Sequence, residues 1–96
     1  MGRYYRKRPA KLARKLLQIR TRLALSQNGM IKALGLSEDL TQSRISGYEL
    51  GTREPSLLTL LRYAKTAGVC VDVLIDDDLE LPRKLPSIPK HRRLVR

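Results

Sequence analysis

Few residues in this 96-residue chain are equipped for covalent chemistry. The only histidine, His91, stands among bases near one end, and the only cysteine, Cys70, has no base beside it in sequence. Asp76, Asp77 and Asp78 are consecutive carboxylates without the alternating spacing of a calcium loop. No Cys/His spacing suits zinc, and no Gly-rich phosphate loop occurs. These residues predict no enzyme, no metal and no cofactor. What the chain offers instead is charge and a set of small polar side chains. Its formal charge is +11, and nine of the 20 Lys/Arg fall in residues 1–22, with six more in 83–96 and no acid in either stretch. The segment between carries five bases and nine acids. Two basic ends on an acidic body point to a polyanionic partner; basic ends that merely keep the chain in solution are the plainer alternative.

The polar set lies in residues 41–50, TQSRISGYEL. Laid out at about 100° per residue, this stretch puts Thr41, Ile45, Tyr48 and Glu49 on one side. Ser43, Ser46, Gly47 and Leu50 point the other way, with Gln42 at the exposed start and Arg44 on the flank. A merely solvated helix would more often carry Lys and Glu on that side. A small, polar outward face is suited to approaching another surface closely.

Positioning these residues falls to short helices with legible ends. Residues 1–8, including Arg3, Arg6, Lys7 and Arg8, have no apolar period and are expected to form a basic arm. Pro9 suits the first turn of a helix in which Leu12, Leu16, Ile19 and Leu23 share a face widened by Ala13 and Leu17, with the bases on the other. Ser26 caps a second helix, with Met30, Ile31 and Leu34 inward, that Gly35 ends. Leu36 to Leu40 is a turn holding Glu38 and Asp39. Thr41 caps a third helix, 42–50, ended by Gly51. Ser56 caps a fourth, 57–67, whose Leu57, Leu58, Leu60, Leu61, Ala64 and Ala67 give a broad apolar side, and Gly68 ends it. Val71 to Ile75 is read as a fifth short helix, because a strand there would have no partner. Cys70 is expected to be small and buried. Pro82, Pro86 and Pro89 make the remainder an extended tail. The expected domains are therefore a basic arm at 1–8, one folded unit at 9–80 and a basic Pro-containing tail at 81–96. One cysteine permits no internal disulfide and fits a reducing compartment. The charged start is not expected to act as a secretory signal, and no stretch is apolar enough to span a membrane.

In order and spacing, LALSQ at 23–27, ALG at 33–35, TQSRISGYELG at 41–51, REPSLLTLLRYAKTAGV at 53–69 and VDVLI at 71–75 resemble the repressor/Cro-type helix-turn-helix domains of the XRE family. The resemblance covers roughly residues 10–78. It implies an all-α, compact five-helix fold that binds double-stranded DNA. It further implies that Gln27 touches a phosphate and braces the recognition helix, and that Gln42 reads a base, since a Gln amide can pair with adenine at N6 and N7. Ser43 and Gly47 match neighbouring groove-facing positions. Arg44 would reach a guanine or a phosphate, and Arg53 matches a backbone- or base-contacting position. Thr41 and Ser46 complete the candidate DNA-binding set, together with Arg3, Arg6, Lys7 and Arg8 of the arm. Arg20 and Glu49 match a structural ion pair joining the first helix to the third. The five residues between Gly35 and Thr41 are more than compact members of the family have.

The function expected from all this is a sequence-specific, double-stranded DNA-binding transcriptional regulator, cytoplasmic and nucleoid-associated, with helix 42–50 in the major groove. A homodimer is expected because one short helix reads few base pairs; Leu74, Ile75 and Leu79 are its candidate contact or, equally, core. The competing reading is an antitoxin-like or adaptor protein whose C-terminal tail binds a protein partner, with DNA binding autoregulatory or absent. Nonspecific RNA binding is a third reading, weakened by the scarcity of aromatic residues, with Tyr4 and Tyr5 as the only stacking candidates in the arms.

Overall fold

The computed structural model describes residues 8–86. Five helices follow one another, α1 (Leu12–Arg22), α2 (Gln27–Leu34), α3 (Gln42–Leu50), α4 (Leu57–Ala67) and α5 (Val71–Ile75), and no strand occurs among the described residues. The caps explain most of these bounds. Ser26, Thr41 and Ser56 each accept a bond from the backbone N–H three residues on, at 2.9, 3.3 and 3.1 Å, satisfying donors that the first helical turn leaves free. Gly35 and Gly51 end α2 and α3 in the left-handed region, at φ 74° and 81°, where a side chain would be strained.

α1 is the exception, because it has no side-chain cap of its own. Its turn begins at Pro9, whose carbonyl accepts from Leu12, but the helix proper starts three residues after the proline. The missing cap comes from the far end of the chain. Asp77 accepts the N–H groups of Ala10 and Lys11 at 2.8 and 3.0 Å. Glu80 adds an exposed bond from Lys11 Nζ at 3.1 Å.

α1 packs on α3, α4 and α5, while α2 packs on α3 and α4. Leu16, Ile19, Met30, Leu34, Ile45, Tyr63, Ala64 and Leu74 form the centre of the core. Each fully buried Leu or Ile there contributes on the order of 2 kcal/mol.

Several expectations are corrected by this packing. Lys15, assigned by periodicity to the charged face of α1, is fully buried. Its Nζ donates to the carbonyls of Val73 and Asp76 at 2.7 and 3.0 Å, so it caps the C-terminal end of α5. α4 is apolar on more sides than it can bury, because only one side faces the core. Leu57 and Leu58 are 83% and 74% exposed, and Leu61 is also exposed. Leu74 belongs to the core and is unavailable to a partner, whereas Ile75 and Leu79 remain exposed. Cys70 is exposed, not buried, and makes no side-chain cap for α5. The start of the tail is not simply extended in solvent. Leu81 is buried in the core and Leu85 packs against it, so the packed unit continues beyond residue 80.

Candidate nucleic-acid interface

The interface is built on two helix starts held together by side chains. Glu49, near the end of α3, receives Arg20 Nε at 2.6 Å and Arg20 Nη2 at 3.0 Å, which ties α3 to α1. The pair is largely shielded, with side-chain exposures of 18% and 6%. The hydrogen bond that Arg20 donates to Glu49 holds the guanidinium above its usual pKa, against the opposing pull of burial. Arg20 Nη1 also donates to the carbonyl of Leu25, pinning the chain where it enters α2.

From that anchor the bonding runs outward. Gln27 Nε2 donates to Glu49 Oε1, and Gln27 Oε1 accepts from Gln42 Nε2, both at 3.2 Å. A chain of four side chains thus connects buried α1 to the exposed start of α3. Gln42 spends one N–H on this chain and keeps its carbonyl oxygen and second N–H, the two groups an adenine edge requires.

Gln42, Ser43 and Arg44 are exposed along the outer side of α3, and Ser46 is half-buried. Thr41 is exposed too, with its Oγ1 engaged as the N-cap. Gly47 departs from expectation. It lies on the outward side, as the helical spacing requires, but it is buried. The covering group is Arg53. A Cβ placed on Gly47 would stand 2.9 Å from Arg53 Cδ and 3.0 Å from Cγ. Gly47 therefore offers no open surface; Arg53 occupies the place. No periodicity could reveal this, because Arg53 belongs to the loop after the helix.

The first described residue, Arg8, is exposed and helps line a cavity of about 240 Å³ with Ala10, Ala13, Tyr48, Gly51 and Arg53. Arg8 thus stands beside the C-terminal end of α3. Arg3, Arg6 and Lys7 lie outside the described residues, as do residues 87–96, on which the partner-binding reading of the tail depends. The lengthened connection between α2 and α3 is a compact turn. The N–H groups of Asp39 and Leu40 both donate to the carbonyl of Leu36, at 3.0 Å each. Leu40 is buried and Leu36 packs against the core, leaving Glu38 and Asp39 exposed. Sequence reasoning missed Lys15 and Asp77, whose roles depend on carbonyls and N–H groups more than fifty positions away. Among the described residues no group of His, Cys, Asp and Glu could hold a metal ion.

Two short helices, α2 and α3, are joined by a turn and locked at their N-terminal ends, with the second presenting polar groups outward. A family model described as helix-turn-helix matches residues 16–74, more than half of the chain. The chain belongs to the XRE-type helix-turn-helix family. No curated protein and no solved structure matches it. This family consists of DNA-binding transcriptional regulators and not of enzymes. Within the matched span lie Arg20, Gln27, the whole of α3 and Arg53, while Asp77 and the basic ends fall outside it. No helix among the described residues is long and apolar enough to cross a membrane.

Proposed function

We propose that this chain is a sequence-specific, double-stranded DNA-binding transcriptional regulator that lays α3 in the major groove. The observation that carries this reading is the bonded series from Arg20 through Glu49 and Gln27 to Gln42. A side chain that only needed solvent would gain nothing from being oriented by three others. A base-reading amide gains a fixed pose before it meets its target, so less freedom is lost on binding. Ser43 and Arg44 flank Gln42, and Arg44 is placed on the edge of the helix, where a phosphate oxygen would lie. The N–H groups at the starts of α2, α3 and α4 add donors for the DNA backbone.

The basic ends supply attraction more than selection. Arg3, Arg6 and Lys7 precede Arg8 in sequence, and phosphate contacts from these four bases would make binding steeply salt-dependent. About six such contacts in all would cost roughly a thousandfold in affinity between about 50 and 200 mM salt. Two copies binding half-sites about 34 Å apart would double the reading length. Exposed Ile75 and Leu79 are the candidate contact between them. On this reading the protein works at the nucleoid, in the cytoplasm.

Selection from a random duplex library at physiological salt tests the proposal, run with the unmodified chain and with Gln42→Ala. A defined motif that relaxes at one position in the variant is the expected result. Binding without sequence preference, unchanged by Gln42→Ala, would refute it.

A further inference from the structure

The C-terminal half of α3 has little with which to read DNA. After Arg44 its outward positions are Ser46, Gly47 and Leu50, and the first of these is already half-buried. The side chain that lies over this part of the helix comes from elsewhere. Arg53 crosses Gly47 so closely that a Cβ on residue 47 would meet three of its carbons, Cδ at 2.9 Å, Cγ at 3.0 Å and Cβ at 3.3 Å. The backbone enforces the same arrangement. The carbonyl of Gly47 accepts from the N–H of Thr52 at 3.0 Å, from the N–H of Arg53 at 3.2 Å and from Thr52 Oγ1 at 3.3 Å. These bonds to one carbonyl fold the loop back against the helix and aim the stem of Arg53 along its outer side. Among the described residues no hydrogen bond or ion pair engages the Arg53 guanidinium.

We infer that Gly47 is a seat for Arg53, and that the seated Arg53 determines base specificity beside the C-terminal half of α3, with guanine as its target. The inference rests on the proposal that α3 enters the major groove. Guanine presents O6 and N7 there as paired acceptors, matched by the planar fork of a guanidinium. Gly47 acts as a positioning residue. Its missing Cβ, which costs helix propensity, is what allows the arginine stem to lie flat. A mobile arginine would settle on whichever phosphate is nearest, whereas a seated one is held over the helix face that meets the bases.

The test selects binding sites from a random duplex library with five proteins: the unmodified chain, Gly47→Ala, Arg53→Ala, Arg53→Lys and the Gly47→Ala/Arg53→Ala double variant. Thermal melting accompanies each. Arg53→Ala should lose discrimination of about tenfold or more for guanine at one position. Gly47→Ala should lose it at the same position without a lower melting temperature, because alanine favours the helix and the displaced arginine is flexible. The double variant should be no worse than Arg53→Ala. Arg53→Lys should keep the salt dependence of binding while weakening the guanine preference, since an ammonium cannot pair with both acceptors. Loss of affinity in Arg53→Ala that is equal for all duplexes would make Arg53 a phosphate contact and overturn the inference. So would an unchanged motif in Gly47→Ala, or additive losses in the double variant. Should Gly47→Ala melt early, the contrast between Arg53→Ala and Arg53→Lys still decides. A motif from the unmodified chain that these variants leave intact defeats the inference alone; no motif at all defeats the underlying reading with it.

Discussion

Lys15 donates from Nζ to the carbonyl of Val73 at 2.7 Å, bridging the first and last helices across 58 positions of sequence. The ammonium is buried, and a second bond to the Asp76 carbonyl places it at the negative end of α5. Asp77, the next residue, accepts two N–H groups at the positive end of α1. Lys15 and Asp77 thus finish the facing ends of α5 and α1, which closes the fold behind α3.

Replacing Lys15 should be costly although it is a lysine on a basic helix. Lys15→Ala takes a donor from the carbonyls of Val73 and Asp76 and opens space in the core, for an expected loss of about 3 kcal/mol. Lys15→Met refills most of that space and should lose less than Lys15→Ala. Urea denaturation of both variants checks the order.

Arg20 and Arg22 are two residues apart and should behave differently. Arg20→Ala strands the shielded Glu49 carboxylate, with an expected cost of about 3–5 kcal/mol. Arg22 is exposed, and its side chain donates to the carbonyl of Pro82. Arg22→Ala should therefore change stability by less than about 1 kcal/mol. Equal shifts in melting temperature would exclude a structural role for the pair.

Tyr63 is fully buried, and among the described residues its hydroxyl has no hydrogen-bond partner. Burial pushes its pKa far above the ordinary tyrosine value, with Glu49 adding to the shift. Tyr63→Phe removes an unsatisfied polar atom while keeping the ring, so stability should be unchanged or rise by up to about 1 kcal/mol. A clear loss in urea denaturation would show that the hydroxyl is bonded in solution.

Acid should loosen the closure between the two ends of the chain. The backbone N–H groups of Ala10 and Lys11 hold Asp77 below the usual aspartate range, and Lys11 does the same for Glu80. A carboxylate whose pKa is depressed by folding contributes stability that is fully present above its unfolded value, near 4. That contribution is lost as pH falls through the lower folded value. Asp77→Asn should therefore melt earlier than the unmodified chain at about pH 7, and the two should converge as pH falls through the lowered value that folding gives Asp77. Melting curves across that range provide the check; a constant gap would assign the effect to something other than the carboxylate charge.

The helices and their limits were legible because their signals are local. Ser26, Thr41 and Ser56 cap the helices that follow them, Gly35 and Gly51 end theirs, and the short run 71–75 is helical. The apolar period of α1 put Leu12, Leu16 and Ile19 inside. The same reasoning failed where one residue serves a distant partner. Periodicity assigns Lys15 to solvent because its charge outweighs its position, and only the carbonyls of α5 make burial acceptable. It also overfills the core from α4, since a helix with leucines on several sides can bury only the side its neighbours cover.

For the candidate site, the sequence by itself determined which polar side chains lie along α3 and that positive charge is concentrated in residues 1–22 and 83–96. Both follow from residue type and helical spacing, which need no knowledge of the rest of the fold. Tertiary structure decided how those side chains are held. The link from Gln42 through Gln27 and Glu49 to Arg20 spans three helices, and the seat of Arg53 on Gly47 depends on a loop folding back on the helix before it. Such arrangements depend on distances between segments, and those distances exist only once the core has closed.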